Sequence, residues 1–182
     1  PTGFGNSPYQ SYSAFAGNPY LIDLDRLAEQ GLLTQNDMLK FDWGENPSCI
    51  SYDKIAEHRL QLLKTAYENS NHLYCFDYME FCKKQEHWLD DYALFMACKD
   101  HFGQCEWLKW NPDIKERDAS ALMNYRILLK EKIQFWKFCQ YHFYQQWNDV
   151  KTYANKKGIY IIGDIPIYLA LDSSDVWTHP EL

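Results

Sequence analysis

Apolar residues recur at helical spacings of three and four through most of this 182-residue chain. The pattern predicts short helices at 23–30 and 34–39, and longer ones at 51–69, from 71 onward, and at 87–103. Asp23 and Ser51 stand where N-cap residues are expected, and Gly31 is placed to end the first helix. The greater part of the chain is therefore predicted to be helical.

The longest uninterrupted helical pattern covers residues 118–157, which contain neither glycine nor proline. One straight helix of this length would span about 60 Å, against a radius of gyration of about 16 Å for a globule of this size. We therefore expect a break, near Asn124. Apolar side chains from Trp136 to Ala154 form a wide stripe, which predicts a helix that is covered on most sides.

A different pattern follows, because residues 159–162 are β-branched or aromatic without a polar interruption. This run predicts a parallel strand covered on both faces. Pro166 cannot donate to a central sheet, so the strand should end at about Asp164. A carboxylate at the carboxyl end of such a strand lies where α/β barrels and open sheets bind ligands. The alternative is that Asp164 only caps the turn at 165–167.

Charge and composition narrow the possible partners. The chain has 18 basic and 25 acidic residues, a net charge of −7, which argues against nucleic acid and against an anionic membrane. Aromatic residues make up 17% of the chain, so sugar stacking is possible, although packing is expected for most of them. The charge balance does not exclude neutral substrates.

Six cysteines occur without a Cys-x-x-Cys pair, and we find neither a signal peptide nor an apolar run of 18 residues. These features predict a cytoplasmic protein. Cys75 and Cys82 lie near His72 and His87, but the spacing matches no zinc site. We therefore predict no metal and no cofactor, and we interpret these cysteines as small buried hydrophobic residues.

Several motifs of the chain resemble the amylomaltases, the 4-alpha-glucanotransferases of glycoside hydrolase family 77. The most specific is the twenty-residue segment that contains Ser7-Pro8-Tyr9, and the next is Gly163-Asp164 with the residues that follow it. The matching segments are 1–20, 88–95, 138–147, 163–168, 171–177 and 179–181. The resemblance covers nearly the whole chain and is strongest at its two ends.

The resemblance implies an α/β fold, namely part of a (β/α)8 TIM-type barrel from the end of the second strand to the third, with a largely α-helical insertion. Four segments are then expected. They are a substrate-site loop after the second barrel strand at 1–22, a mostly helical insertion at 23–117, a long or kinked helix packing on the barrel at 118–157, and the third barrel strand with its following loop at 158–182.

The resemblance also implies an activity, the transfer of an α-1,4-glucan segment to a new 4-hydroxyl acceptor by a retaining mechanism. The expected partners are α-1,4-glucans and maltooligosaccharides, and the expected substrate-binding residues are Tyr9, Ser7, Asp164 and Phe4. Phe4 stands where many members have tyrosine, so a stacking face is kept while the hydroxyl is lost. Without the resemblance, Tyr9 would be interpreted as loop packing beside Pro8.

A retaining transfer needs a nucleophile and an acid/base about 5 Å apart. In the family the nucleophile belongs to an Arg-x-Asp-His motif, which these 182 residues do not contain. No catalytic residue is therefore expected in this chain, and the reacting carboxyls are expected beyond Leu182, as in a fragment of a larger enzyme. The alternatives are a non-catalytic glucan-binding module, suggested by the surplus aromatics, and a helical interaction domain, suggested by the number of helices.

Overall fold

The computed structural model describes residue 5 and residues 7–44, 48–164 and 167–181, and these residues form a helical body. The helices of this body are α1 (Leu24–Glu29), α2 (Gln35–Leu39), α3 (Tyr52–Glu68), α4 (Phe76–Lys84), α5 (Glu86–His101), α6 (Pro112–Lys115), α7 (Ala119–Leu128), α8 (Lys130–Lys156) and α9 (Ser174–Thr178). Short 3-10 turns lie at Pro19–Leu21, His72–Tyr74 and Trp107–Lys109. Among the helices of the described ranges, none is both long and apolar enough to cross a membrane.

Local signals fix the ends of the first two helices. The Asp23 side chain accepts the Asp25 N–H and begins α1, and Gly31 follows it with a φ of 75°. Thr34 and Asp37 form a capping box at the start of α2. These two predicted helices are confirmed. The helix predicted from residue 71 instead begins at Phe76, because a 3-10 turn precedes it.

The centre of the body is α5, which is buried around most of its circumference. Its stretch from Tyr92 to Cys98 is almost entirely shielded from solvent, as expected for a helix that is apolar on all sides. It packs mainly against α8, and α9 covers another part of it. The rings of Phe95, Trp110 and Trp177 meet there at centroid distances of 5.4–5.9 Å. Many of the surplus aromatics therefore serve core packing.

The long helical stretch breaks at Leu129 between α7 and α8, five residues after the predicted position. Leu129 is itself buried, so packing rather than a glycine or proline sets the break. The first part of α8 is covered, but Trp147, Val150 and Tyr153 near its end are exposed. The prediction of a helix covered on most sides is thus wrong for its last turns, where these three large side chains face solvent.

The strand predicted at 159–162 is absent, and the described ranges contain no β-strand at all. Ile159, Tyr160 and Ile162 are exposed, the last to 94%. A parallel strand needs a neighbouring strand to bond its N–H and C=O groups, and the described residues supply none. The described part of the chain is therefore an all-helical body, and the α/β barrel part of the assignment stays a prediction.

The cysteines are buried to different degrees. Cys98 and Cys139 lie in the core, as expected of small hydrophobic residues. Cys75 and Cys82 are only partly buried, and Cys49 is exposed. The interpretation of Cys75 and Cys82 as buried residues is therefore too strong, because both lie on or next to α4 at the edge of the body.

Candidate functional site

Tyr9 and Asp164 meet at the surface although 155 residues separate them. The Tyr9 hydroxyl donates a hydrogen bond to Asp164 Oδ2 over 2.8 Å. The contact raises the pKa of Tyr9, because the hydrogen bond and the negative charge of Asp164 both favour the protonated phenol. Tyr9 is therefore a neutral donor with an accessible ring at neutral pH, suited to binding rather than to proton transfer.

Ser7 lies beside this pair, and its Oγ accepts the Tyr9 backbone N–H over 3.3 Å. Tyr9 is 56% exposed, so its ring does not serve as packing inside the loop. The structure thus brings together three of the four side chains that the resemblance indicates. The fourth, Phe4, lies outside the described residues, as do residues 165 and 166 of the turn that Asp164 was alternatively expected to cap.

The loop that carries Tyr9 is attached to α8 by hydrogen bonds to its backbone. The Gly17 N–H donates to Gln140 Oε1 over 2.8 Å, and Gln140 Nε2 donates to the Gly17 carbonyl over 3.0 Å. One turn along the helix, the Tyr144 hydroxyl donates to the Phe15 carbonyl over 2.6 Å. Because backbone groups need partners when they are buried, these bonds fix the path of a loop that has no regular structure.

The loop that follows Asp164 is attached to α5 through a buried lysine. Lys99 Nζ lies 2.6 Å from Asp172 Oδ2 and also donates to the carbonyls of Gln104 and Cys105. The Lys99 side chain is only 1% exposed, so its charge is compensated by one carboxylate and two carbonyls in place of water. Trp107 adds a bond from its indole N–H to the Leu171 carbonyl over 2.7 Å.

An open groove of about 900 Å³ runs from Asp164 along the end of α8. Its walls are residues 14–18 of the Tyr9 loop and the side chains of Phe143, Tyr144, Trp147 and Val150. One wall is thus the exposed apolar end of α8, and the other is loop backbone. Asp23, Arg26 and Asp164 also line it, so the groove presents both apolar and charged side chains.

Asp90 and Asp91, at the start of α5, take part in separate ion pairs. Asp91 accepts from Arg117 over 2.8 Å, and Asp90 pairs with Lys137 of α8. The two carboxylates point toward different elements, as adjacent helical positions require. Both carboxylates therefore bind cationic side chains of other parts of the helical body.

Sequence reasoning missed the roles of Lys99 and Gln140. A signal existed for Lys99, because it lies four and seven residues after Phe95 and Tyr92 and so shares their buried helix face. A charged residue at such a position predicts a buried partner. Gln140 lies within one of the matching motifs, but nothing in its local sequence points to Gly17, 123 residues away.

Comparison with known proteins agrees with the resemblance. The 4-alpha-glucanotransferase family, glycoside hydrolase family 77, matches residues 1–182. The chain therefore belongs to this family, and the resemblance found in its motifs is confirmed.

Individual relatives support the same assignment. The chain is 49% identical over 181 residues to the 4-alpha-glucanotransferase of Clostridium butyricum, covering 100% of this chain and 37% of that protein. It is 40% identical over 185 residues to the 4-alpha-glucanotransferase of Thermus thermophilus, covering 100% of this chain and 36% of that protein. The chain thus spans little more than a third of the length of these relatives.

Among solved structures, the fold is similar to an amylomaltase from Streptococcus agalactiae in complex with acarbose. The two share 42% sequence identity with a TM-score of 0.93 over 100% of this chain and 37% of that one. The helical body described above is therefore a part of the amylomaltase architecture.

Proposed function

We propose that this chain is part of a 4-alpha-glucanotransferase that moves a segment of an α-1,4-glucan to a new 4-hydroxyl acceptor with retention of configuration. Within it, Tyr9, Ser7, Asp164 and Phe4 line the sugar site. The observation that carries the proposal is the hydrogen bond between Tyr9 and Asp164. It joins, at an exposed position, the two motifs on which the family resemblance chiefly rests.

The chemistry of this pair supports binding rather than bond cleavage. A carboxylate accepts hydrogen bonds from sugar hydroxyls, and the bond from Tyr9 orients both the carboxylate and the ring. The exposed face of Tyr9 offers an apolar surface to a sugar ring. The acarbose held by the related Streptococcus agalactiae amylomaltase is compatible with α-glucans and maltooligosaccharides as ligands here.

We propose that the nucleophile and the acid/base come from parts of the enzyme other than these 182 residues. The absence of Arg-x-Asp-His from the sequence and the 37% coverage of a relative support this. We also propose that residues 1–22 are the loop after the second barrel strand and residues 158–182 the third barrel strand with its following loop. A mostly helical insertion at 23–117 and a long or kinked barrel-packing helix at 118–157 lie between them. The exposed side chains of Ile159–Ile162 and of Val150 are surfaces that such a barrel would cover. A cytoplasmic location stays a prediction.

The test is redistribution of maltotriose by the full-length protein that contains this chain. Glucose and oligomers longer than maltotriose should appear together, while the isolated 182 residues should yield neither. Binding of maltooligosaccharides without redistribution by the full-length protein would contradict transfer and favour a glucan-binding module. Redistribution by the isolated chain would contradict the placement of the reacting carboxyls elsewhere.

A further inference from the structure

Asp175 joins the loop that carries Tyr9 to the segment that follows Asp164. Its Oδ2 accepts the Ala14 N–H over 2.6 Å, and its Oδ1 accepts the Ser13 hydroxyl over 3.2 Å. Beside it, Ser174 donates both its N–H and its hydroxyl to the Tyr12 carbonyl, over 2.9 and 3.0 Å. Four hydrogen bonds therefore connect residues 12–14 to residues 174–175.

The segment that holds Asp175 is itself anchored in the helical body. Trp177, on the same short helix, is only 1% exposed, and its indole N–H donates to the Ile114 carbonyl over 3.2 Å. The guanidinium of Arg117 lies over the Trp177 ring at 4.4 Å from the centroid. Asp175 therefore projects from a fixed support, and its two acceptor oxygens set where Ser13 and Ala14 lie.

The Tyr9 loop changes from buried to exposed within a few residues. Ser13 is 3% exposed, whereas Tyr9, four residues earlier, is 56% exposed. Between them the Ser11 hydroxyl bonds to the Ser13 carbonyl over 3.0 Å, so the loop is tied back onto the residue that Asp175 holds. The position of the Tyr9 ring is thus set from the Ser13 end of the loop.

We propose that Asp175 is a positioning residue for glucan transfer, holding the Tyr9 loop so that Tyr9 and Asp164 meet at the sugar. Asp175 acts through the backbone of residues 13 and 14, and it does not contact the sugar. This inference rests on the proposed transfer function and names a residue on which the geometry of that site depends.

The first test is Asp175→Ala in the full-length protein, with transfer from maltotriose as the assay. Displacing a binding group by about 1 Å can cost roughly 100-fold in rate, so we expect kcat to fall about 10- to 100-fold. The Michaelis constant should stay within about twofold, because the loss concerns the geometry of the reacting complex. Asp175→Asn should restore most of the rate, since its amide can accept from Ala14 while its NH2 donates to the Ser13 hydroxyl oxygen.

A double-mutant cycle with Tyr9→Ala separates positioning from a general structural effect. If Asp175 acts through Tyr9, Asp175→Ala should lower kcat much less in the Tyr9→Ala background than in the wild type. Additive effects in the folded double variant would overturn the proposal. A kcat equal to that of the wild type in folded Asp175→Ala would also overturn the proposal. If that variant does not accumulate as folded protein, Ser13→Ala removes one of the same bonds and enters the cycle in its place.

The control is Asp37→Ala, which removes the capping carboxylate of α2. It should lower stability slightly and leave kcat unchanged, because α2 carries none of the site residues. The wild-type assay distinguishes a failure of the proposed function from a failure of the proposed role of Asp175. If wild-type protein redistributes no maltotriose, the proposed function fails. If it does so and the cycle is additive, only the role of Asp175 fails.

Discussion

The side-chain amide of Gln140 makes two hydrogen bonds to the backbone of Gly17, as a neighbouring β-strand would. Position 17 requires glycine, because a Cβ there would lie 1.9 Å from the Phe143 ring. The close approach of loop and helix is therefore possible only with a residue that has no side chain. Through this contact α8 holds the base of the loop that presents Tyr9.

Replacing Gln140 by leucine should destabilise the protein by about 2–5 kcal/mol, since two buried backbone groups of Gly17 lose their partners. Gln145→Leu is the matched control, because Gln145 lies on the same helix at an exposed position. It should change stability by less than ~0.5 kcal/mol. Denaturant unfolding of the full-length protein, followed by tryptophan fluorescence, measures both. Equal stability of the two variants would contradict the role of Gln140.

The ends of the first helix could be predicted from the sequence, whereas the contacts of Gln140 could not. Asp23 and Gly31 predicted the ends of α1 because capping depends on neighbouring residues alone. The break at Leu129 has no local signal and follows from burial. Gln140 likewise meets Gly17 only because the helix and the loop pack together. No short pattern in the sequence indicates that packing.

The candidate site, too, could be predicted only in part from the sequence. The resemblance indicated Tyr9 and Asp164 separately, and their contact across 155 residues came from the structure. The residues 159–162 have the composition of a buried strand but are exposed here. Strand propensity reflects how well a residue packs among neighbouring strands. Residues of high strand propensity therefore form no strand where the described chain supplies no neighbouring one.

The ion pair between buried Lys99 and partly exposed Asp172 should be coupled. Lys99→Met leaves the Asp172 carboxylate without its cation and two backbone carbonyls without their donor, and it should cost about 1–3 kcal/mol. Lys99→Met combined with Asp172→Asn should cost clearly less than the sum of the single changes, because the uncompensated charge is removed. Unfolding free energies of the full-length variants give the coupling, and additivity would contradict it.

An exposed ion pair in the same region provides the control for Lys99. Lys109 lies 3.3 Å from Glu106, and both side chains are more than half exposed. Lys109→Met should cost less than about 1 kcal/mol, because water already solvates both charges. A cost similar to that of Lys99→Met would mean that burial is not what makes the Lys99 pair important.

Stability should depend on pH through His142, which is buried against Phe138 at a centroid distance of 4.3 Å. Burial, with a smaller contribution from His72, lowers the pKa of His142 to about 4. The unfolded chain, with a histidine pKa near ~6.5, then binds more protons between pH ~6.5 and ~4. The stabilisation is complete above the unfolded value and is lost by ~1.4 kcal/mol per pH unit as the pH falls through this window.

The comparison for this prediction is His142→Phe, which fills the site without a titrating group. The difference in unfolding free energy between wild type and variant should shift against the wild type as the pH falls from about 6.5 toward 4. Measurements at several pH values in one ionic strength give the slope. Parallel curves for the two proteins would show that His142 is protonated in the folded state as readily as in the unfolded one.

Asp164→Asn in the full-length protein should slow transfer without abolishing the covalent step. The change keeps the shape and one acceptor oxygen but removes the charge, so the loss should be about 1.5–3 kcal/mol, or roughly 10- to 150-fold. A substrate with a good leaving group allows glycosyl-enzyme formation to be followed separately. If that intermediate disappears while folding and substrate binding persist, Asp164 takes part in the chemistry and is more than a binding residue.

The central claim is that Tyr9 and Asp164 form one sugar-binding site, and a crystal structure of the full-length protein with a bound maltooligosaccharide tests it most directly. The account predicts a glucose ring against the exposed face of Tyr9, with sugar hydroxyls within hydrogen-bonding distance of the Asp164 carboxylate. An oligosaccharide held in the catalytic site without contact to either side chain would contradict it.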